Sequence, residues 1–402
     1  EIDPKQKVQF TLSIAISNEG KNDKDKYKSA QTAMDIVLGR GGDQAVIRQN
    51  EIYKFFGGRT QEVEKRTKVK ARVVAHALEN LIKESSKVMI MGHTNPDIDA
   101  MGSSIGVYRI AKSLDKNAYI ITSNTPTLQS FKESLLAEEP EYEDVLISKE
   151  VAEENIDEDT LLVIVDTHKN TYVESEEVVK KAKKIVVIDH HRRSADYIED
   201  ATLTFQEVYA SSAAELVTEL LQYTDVNVEL KKIEAESLYA GIMMDTKSFT
   251  FKTGVRTFEA AAYLRRCGVD IIKVKKWFQS DLQSFNIIAD IVKSAEIVNE
   301  SIAIAIYDKE KAKDVSLICA KAADELLTIN DVTASFVLGN TGDKICISGR
   351  SIGDINVQVI LEKLGGGGHI TLAGAQVEGM TMEEAKQELI IRINEYFTEI
   401  EN

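Results

Sequence analysis

The sequence predicts an α/β protein: a doubly wound parallel-sheet domain, then a smaller α+β domain, with a small α+β remnant at the N-terminus. Three observations carry that expectation. Between Ser85 and about Gln283, apolar strand-like runs alternate with amphipathic helical stretches, the pattern of a sheet covered on both faces. The runs Val88 to Met91, Leu161 to Val165 and Ile185 to Ile188 are unbroken in apolar residues, as buried parallel strands require. At 402 residues the chain also exceeds what one core organises, so two or three domains are expected.

In chain order, residues 1–60 read as a strand from Phe10 to Ile16, a helix from about Tyr27 to Leu38, and a Gly-rich turn, GRGGDQ at 39–44. Two short strand-like runs follow, ending at Gly57 and Gly58. So short a segment buries little core and looks like the tail of a larger domain. Residues 61–84 read as a helical linker whose Lys65, Arg66, Lys68, Lys70 and Arg72 form a solvated face with no assigned function. Residues 85–283 form the doubly wound domain, and 284–300 a linker helix. In 301–402, strands are expected at Ile302 to Tyr307, Ala334 to Leu338 and Lys344 to Ser348. Helices are expected near Ala320 to Leu327, Asn356 to Lys363 and Met382 to Tyr396.

Composition narrows the function. A hydrophobic fraction of 43% beside 28% charged residues describes a globular protein, and no apolar run approaches the roughly 18 residues of a membrane span. A net charge of −16 disfavours duplex nucleic acid, whose affinity comes from neutralising phosphates with clustered Lys and Arg. A small anionic substrate held by metals stays compatible. Three scattered cysteines, Cys267, Cys319 and Cys346, fit neither a disulfide framework nor a zinc knuckle and point to a reducing, cytosolic setting. The chain starts at Glu1 without an initiator Met, so a fragment of a longer protein is expected.

Four acidic or histidine clusters stand where apolar runs stop: GHTNPDID at 92–99, VDTH at 165–168, VIDHH at 187–191 and GIMMDT at 241–246. Strand ends lie at the carboxyl edge of a parallel sheet, where such sheets bind ligands. One edge is therefore expected to gather His93, Asp97, Asp99, Asp166, His190 and Asp245. Hard oxygen ligands with two imidazoles and no thiolate suit Mn²⁺ or a similar octahedral ion. Two such ions about 3.5–4 Å apart can activate water and clamp a phosphoryl oxygen. Pro96 predicts an extended Asn95, with Asp97 and Asp99 on one side of a loop and Asp99 capping a helix from Ala100 to Leu114. Gly102 is expected to let that helix approach the sheet. A strand-end Asp is often only a helix cap and a lone His only a satisfied polar group; joint occurrence in four places, with an adjacent His pair among only six histidines, favours the site.

This order of motifs, a His before DxD, an Asp after a strand, DHH, then Asp-Thr, resembles the DHH phosphoesterase superfamily. ISGRS at 347–351 and GGGGH at 365–369 are similar to its DHHA1 substrate-binding lobe, and residues 1–60 resemble the end of a degenerate GGDEF domain. GGDQ at 41–44 is more simply a capping turn than a cyclase signature. The combination is similar to GdpP-type cyclic di-AMP phosphodiesterases, membrane-anchored proteins whose hydrolytic part lies in the cytoplasm.

The resemblance implies that His93, Asp97 and Asp166 hold one Mn²⁺, and that Asp99, Asp166, His190 and Asp245 hold a second. His191 would face the scissile phosphate, with Asp189 orienting ligands; His168 either does likewise or makes a plain polar contact. Arg350, Ser351, Gly366, Gly367, Gly368 and His369 would bind substrate, with backbone N–H groups of the Gly365 to Gly368 run approaching phosphate or base, and Asn356 as a weaker candidate. Implied partners are cyclic di-AMP and related small nucleotides and a second copy in a homodimer. Cyclic di-AMP would open to 5′-pApA. A nanoRNA exonuclease with pAp phosphatase activity, a family II pyrophosphatase and a nucleotide sensor without turnover are the rival readings. His190 and His191, as neighbours at a strand end, are expected to point to opposite sides.

Overall fold

The computed structural model describes residues 12–39, 44–49, 52–57, 68–279, 281–309, 315–342, 344–353 and 355–401. The turn at 40–43, Lys65 and Arg66 lie outside the described residues, as does the side chain of His369. The chain divides into two compact units, residues 1–278 and 279–402.

The first unit begins with β1 (Ile14–Ser17), α1 (Asp23–Gly39), β2 (Gln44–Gln49) and β3 (Ile52–Gly57). These strands form a three-stranded sheet with β1 parallel and β3 antiparallel to the central β2. Its core is small: Ala33, Val37 and Val46. The helix starts at Asp23, ahead of the expected Tyr27, because Asp23 and Asp25 favour the positive N-terminal end of the helix dipole.

The larger part of this unit runs α2 (Lys68–Lys83), β4 (Lys87–Met91), α3 (Ile98–Ser113), β5 (Asn117–Ile121), α4 (Gln129–Glu138), α5 (Tyr142–Val145), β6 (Leu146–Ile147) and α6 (Lys149–Asn155). It continues through β7 (Thr160–Val165), α7 (Glu176–Lys181), β8 (Lys184–Asp189), β9 (Leu203–Gln206), α8 (Ala213–Leu221), α9 (Lys232–Asp245), α10 (Val255–Arg266) and α11 (Ile271–Trp277). The six strands are parallel throughout, in the order β6-β5-β4-β7-β8-β9. Alternate strand residues feed two cores. Val88, Ile90, Val163, Val165, Val186 and Ile188 join α2, α3, α8 and α9 on one face, while Met89, Met91, Leu162, Ile164 and Val187 meet α6 and α7 on the other. The chain moves outward from β4 to β6 and then returns to β7, so the topological switch lies between β4 and β7, the expected place for a ligand.

Two expectations need correction. Asp245 ends α9, a helix, and not a strand: the apolar run Leu238 to Met244 belongs to an element buried on nearly every side, and such a run carries no period that separates helix from strand. Gly102 serves helix packing and not the sheet. A Cβ there would stand 2.4 Å from the Ser237 carbonyl oxygen of α9, so glycine sets how closely α3 and α9 approach.

The second unit contains α12 (Leu282–Lys293), β10 (Glu296–Val298), β11 (Ile302–Tyr307), α13 (Val315–Leu326), β12 (Ala334–Asn340), β13 (Ile345–Ser351), α14 (Val357–Glu362), β14 (Gly367–His369), β15 (Leu372–Val377) and α15 (Met382–Glu401). Its sheet has the order β10-β11-β12-β13-β15-β14, with only β11 and β12 parallel. The stretch read as a linker, 284–300, falls in α12 and β10, and Ile291 of α12 is buried in the same core as α13. The opposite face is covered by α14 and α15.

Candidate metal centre

The first cluster forms where β4 stops. Asn95 sits at φ 55°, a left-handed conformation that Asn tolerates, and so is not extended as Pro96 had suggested. The helix starts two residues earlier than expected, which makes Asp97, not Asp99, the N-cap of α3. Its Oδ1 accepts from the backbone N–H groups of Asp99 at 2.9 Å and Ala100 at 3.1 Å. Capping uses one carboxylate oxygen and leaves Oδ2 facing His93 Nε2 at 3.8 Å. The His93 ring is held by its Nδ1, 2.8 Å from the Thr94 carbonyl, and by the ring of Tyr172, stacked nearly parallel at 5.3 Å.

Asp99 is fully buried in the first turn of α3, its two oxygens accepting from the N–H groups of Ala213 at 2.8 Å and Ala214 at 2.9 Å. These are the opening amides of α8, whose N-cap is Ser212. A buried carboxylate is stabilised there by unpaired amides and the helix dipole. The SSAAE pattern at 211–215 is a readable capping signal, but nothing in it announces Asp99 as its partner. Gly241 is also dictated here, since a Cβ at that position would stand 2.6 Å from Asp99 Oδ1.

Asp166 follows β7 with φ 59° and is 3% exposed. Its Oδ2 lies 3.5 Å from His93 Nε2, and its Oδ1 lies 3.2 Å from His190 Nε2. One carboxylate therefore faces His93 and Asp97 through one oxygen and the group of Asp99, His190 and Asp245 through the other; Asp166 and His190 also cluster with His191, whose Nδ1 lies 3.7 Å from Asp166 Oδ1 but 2.8 Å from Asp189 Oδ1. His190 Nε2 is 3.1 Å from Asp245 Oδ2 and 4.0 Å from Asp99 Oδ2. Asp166 Oδ1 and both ring nitrogens of His190 are buried without an aligned hydrogen bond. Polar atoms so placed are normally satisfied, and a cation here would satisfy Asp166 Oδ1 and His190 Nε2, the two that face the ligand group. Asp245 is presented by an unusual exit from α9: Lys247, Ser248 and Phe249 have φ of 46°, 57° and 65°, and the Thr246 hydroxyl accepts from the N–H of Phe249 at 2.9 Å.

Electrostatics reinforce the geometry. Burial raises the Asp99 carboxyl well above its usual range, and repulsion from Asp166 and Asp245 adds to the rise. Burial raises Asp245 as well. Burial alone would lower His93, but the neighbouring carboxylates of Asp166 and Asp97 override it and push it up to about 12. His190 moves the same way under Asp166 and Asp245. Burial opposes ionisation of Asp166, yet His190 and His93 hold it below the usual carboxylate range. Four carboxylates against two imidazoles make a strong field for divalent cations.

The remaining sequence-derived residues sit close by. His191 lies beyond the end of β8, so strand alternation does not separate it from His190; the two ring centroids are 4.3 Å apart. Its Nδ1 donates to Asp189 Oδ1 at 2.8 Å, and its side chain is 40% exposed where that of His190 is 3%. Asp189 is fully buried. A separate trio, His76, Glu79 and Asp225, lies apart from these strand ends, and Lys83 already bonds Glu79 Oε1 at 2.7 Å.

In the second unit, Arg350 is 8% exposed, its Nε 3.0 Å from Asp324 Oδ1 and its Nη1 donating to the Gly349 carbonyl at 2.9 Å. It shares a row with Leu372 and His369 across β13, β15 and β14. Ser351 is buried, and Asn356 caps α14 by accepting from Gln358 and Val359. The glycine run has a packing reason that was not foreseen. A Cβ at Gly366 would meet the Gly374 carbonyl oxygen at 2.3 Å, and one at Gly368 the Leu372 carbonyl oxygen at 2.4 Å, whereas Gly367 faces open space.

Comparison with known proteins agrees with this organisation. Family models match for the DHH family N-terminal domain over residues 87–242, the DHHA1 domain over 299–399, and the GGDEF domain of cyclic-di-AMP phosphodiesterase GdpP-like proteins over 1–55. The chain is 46% identical over 398 residues to the cyclic-di-AMP phosphodiesterase GdpP of Geobacillus thermodenitrificans, covering 98% of this chain and 60% of that protein. It is 45% identical to the cyclic-di-AMP phosphodiesterase PdeA of Listeria monocytogenes, with the same coverage. The chain thus spans about three-fifths of the length of these relatives. The fold also matches an exopolyphosphatase-related protein of Bacteroides fragilis, with a TM-score of 0.72 at 22% identity over 85% of this chain and 100% of that one. The chain belongs to the DHH/DHHA1 phosphoesterase superfamily, with a GdpP-like GGDEF segment ahead of the two shared domains.

Proposed function

We propose that this chain is the hydrolytic part of a metal-dependent phosphodiesterase that opens cyclic di-AMP to 5′-pApA. The observation that carries the reading is Asp166, whose two oxygens face two separate ligand groups, as a carboxylate shared between two ions must. His93, Asp97 and Asp166 would hold one ion; Asp166, Asp99, His190 and Asp245 would hold the other. When bound, two Mn²⁺-like ions lower the pKa of a water and neutralise phosphoryl charge. The donor set, all carboxylate and imidazole, fits such ions.

The chain's own residues supply the rest. Amides of α8 fix the plane of Asp99, and the α3 N-terminus fixes Asp97, so the carboxylates are oriented before substrate arrives. His191, anchored on Asp189 and accessible, would donate to a phosphoryl oxygen as negative charge grows and the ribose 3′ oxygen departs. Metals are blind to the base, so selectivity falls to the second unit. There Arg350, Gly366, Gly367, Gly368 and His369 would contact nucleotide, with buried Ser351 supporting them from below and Arg350 exchanging part of its pairing with Asp324 for phosphate. A homodimer belongs to the same reading, and sedimentation of the purified chain checks it.

The test is chromatography of products from cyclic di-AMP, pApA, pAp and pyrophosphate with Mn²⁺, alongside metal analysis. Conversion of cyclic di-AMP to pApA, two ions per chain and loss of activity in EDTA are expected. Turnover of pApA or pAp with cyclic di-AMP untouched would move the assignment to the exonuclease type, and tight binding without turnover to a sensor.

A further inference from the structure

His168 belongs to neither ligand group, yet it is 4% exposed at the end of β7. A buried imidazole needs partners for both ring nitrogens. The backbone N–H of Ser194 donates to its Nε2 at 2.9 Å. A backbone N–H can only donate, so Nε2 carries the lone pair and the ring proton sits on Nδ1. That Nδ1 makes a close hydrogen bond to Asp189 Oδ2. The other oxygen of Asp189 accepts from His191 twice, from Nδ1 at 2.8 Å and from the backbone N–H at 3.2 Å. Gln206, opposite Asp189 in the β8/β9 register, donates to the His191 carbonyl at 2.8 Å and accepts from Arg193 Nε at 2.9 Å.

One buried carboxylate is thus spanned by two imidazoles, and its rotation is set from both ends. We propose that His168 is a positioning residue for His191: the chain from the Ser194 amide through His168 and Asp189 keeps Nδ1–H of His191 on Asp189 and so turns its Nε2 edge toward the substrate phosphoryl group. The inference rests on the hydrolytic reading above, because only there does His191 meet phosphate. His168 acts through hydrogen bonds to Asp189 and Ser194, so the ion ligands should not register its loss.

The experiment compares His168→Phe, His168→Asn, His191→Ala and the double variant His168→Phe/His191→Ala in kcat, KM and metal content. His168→Phe should lower kcat about 10–100-fold, the scale of a lost supporting hydrogen bond, with KM and metal content unchanged. His168→Asn, whose amide N–H falls near the place of Nδ1–H, should recover most of that loss. The double variant should be no slower than His191→Ala alone, because the two residues act as one unit. Additive losses, a shed metal in His168→Phe, or equal losses in the Phe and Asn variants would overturn the proposal. Imidazole ¹⁵N shifts of His168 in the wild-type chain need neither turnover nor a variant that folds. Protonated Nδ1 with unprotonated Nε2 is expected, and the reverse tautomer rules the hydrogen-bond chain out. Absence of wild-type turnover would instead sink the hydrolytic reading, while the nitrogen shifts still decide the hydrogen-bond chain.

Discussion

The carboxyl edge of the parallel sheet and the glycine-rich edge of the second sheet both gather polar residues at strand ends, but their charges are balanced differently. At the first edge Asp97, Asp99, Asp166 and Asp245 outnumber His93 and His190, and buried atoms of Asp166 and His190 have no aligned partner. At the second edge the charge of Arg350 is balanced by Asp324, although its buried Nε has no aligned hydrogen bond either; Ser351 is buried, and Gly366 and Gly368 answer to the backbone of β15. An unbalanced buried cluster has a large free energy to gain from a cation, whereas a balanced one gains only the difference between two similar contacts. The first edge should therefore dominate rate and the second should tune affinity.

The strongest way to break that comparison is Asp166→Ala, which removes the carboxylate common to both ligand groups. Ion content should fall below two per chain and the rate by about three orders of magnitude or more, corresponding to several kcal/mol of lost transition-state stabilisation. Full metal content in this variant, read by elemental analysis, would end the shared-carboxylate assignment. Next come the adjacent histidines. His191→Ala should keep both ions and lose about 10²–10³ in kcat, while His190→Ala should lose metal as well as rate. If His191→Ala is the variant that sheds an ion, the roles are exchanged.

A smaller effect is expected from Gly241→Ala. The added methyl would press on Asp99 Oδ1, so affinity for the ion on that side should weaken about 10–100-fold, seen in a metal titration. Unchanged affinity would mean that α9 shifts to make room. The mildest pair sharpens the second edge. Gly366→Ala should lower thermal stability, by about 1–3 kcal/mol, because its Cβ meets backbone; Gly367→Ala should leave Tm unchanged, since its Cβ position is open. A raised KM in Gly367→Ala at unchanged Tm would then report close approach of substrate to this backbone, and an unchanged KM would remove Gly367 from the binding surface.

Some elements were legible because their signal is local. The runs at Val88 to Met91, Leu161 to Val165 and Ile185 to Ile188 became β4, β7 and β8 because residues buried on both faces must be apolar throughout. The β14 and β15 strands were not read, since GGGGH looks like a loop until a neighbouring strand supplies its hydrogen bonds. Asp245 was assigned to a strand end because a fully buried helix loses the polar face that marks its period.

The class of fold, the order of the two larger domains and the candidate ligand set could be read from short segments, because periodicity, apolar runs and the chemistry of Asp and His are local properties. How those candidate ligands divide their roles depends on the folded arrangement. Asp97 rather than Asp99 caps α3; Asp99 is held by amides more than one hundred residues downstream in sequence; and Asp166 faces two ligand groups at once. Each of these depends on where backbone N–H groups and side chains arrive in space, and partners many tens of residues apart leave no periodic trace in the chain.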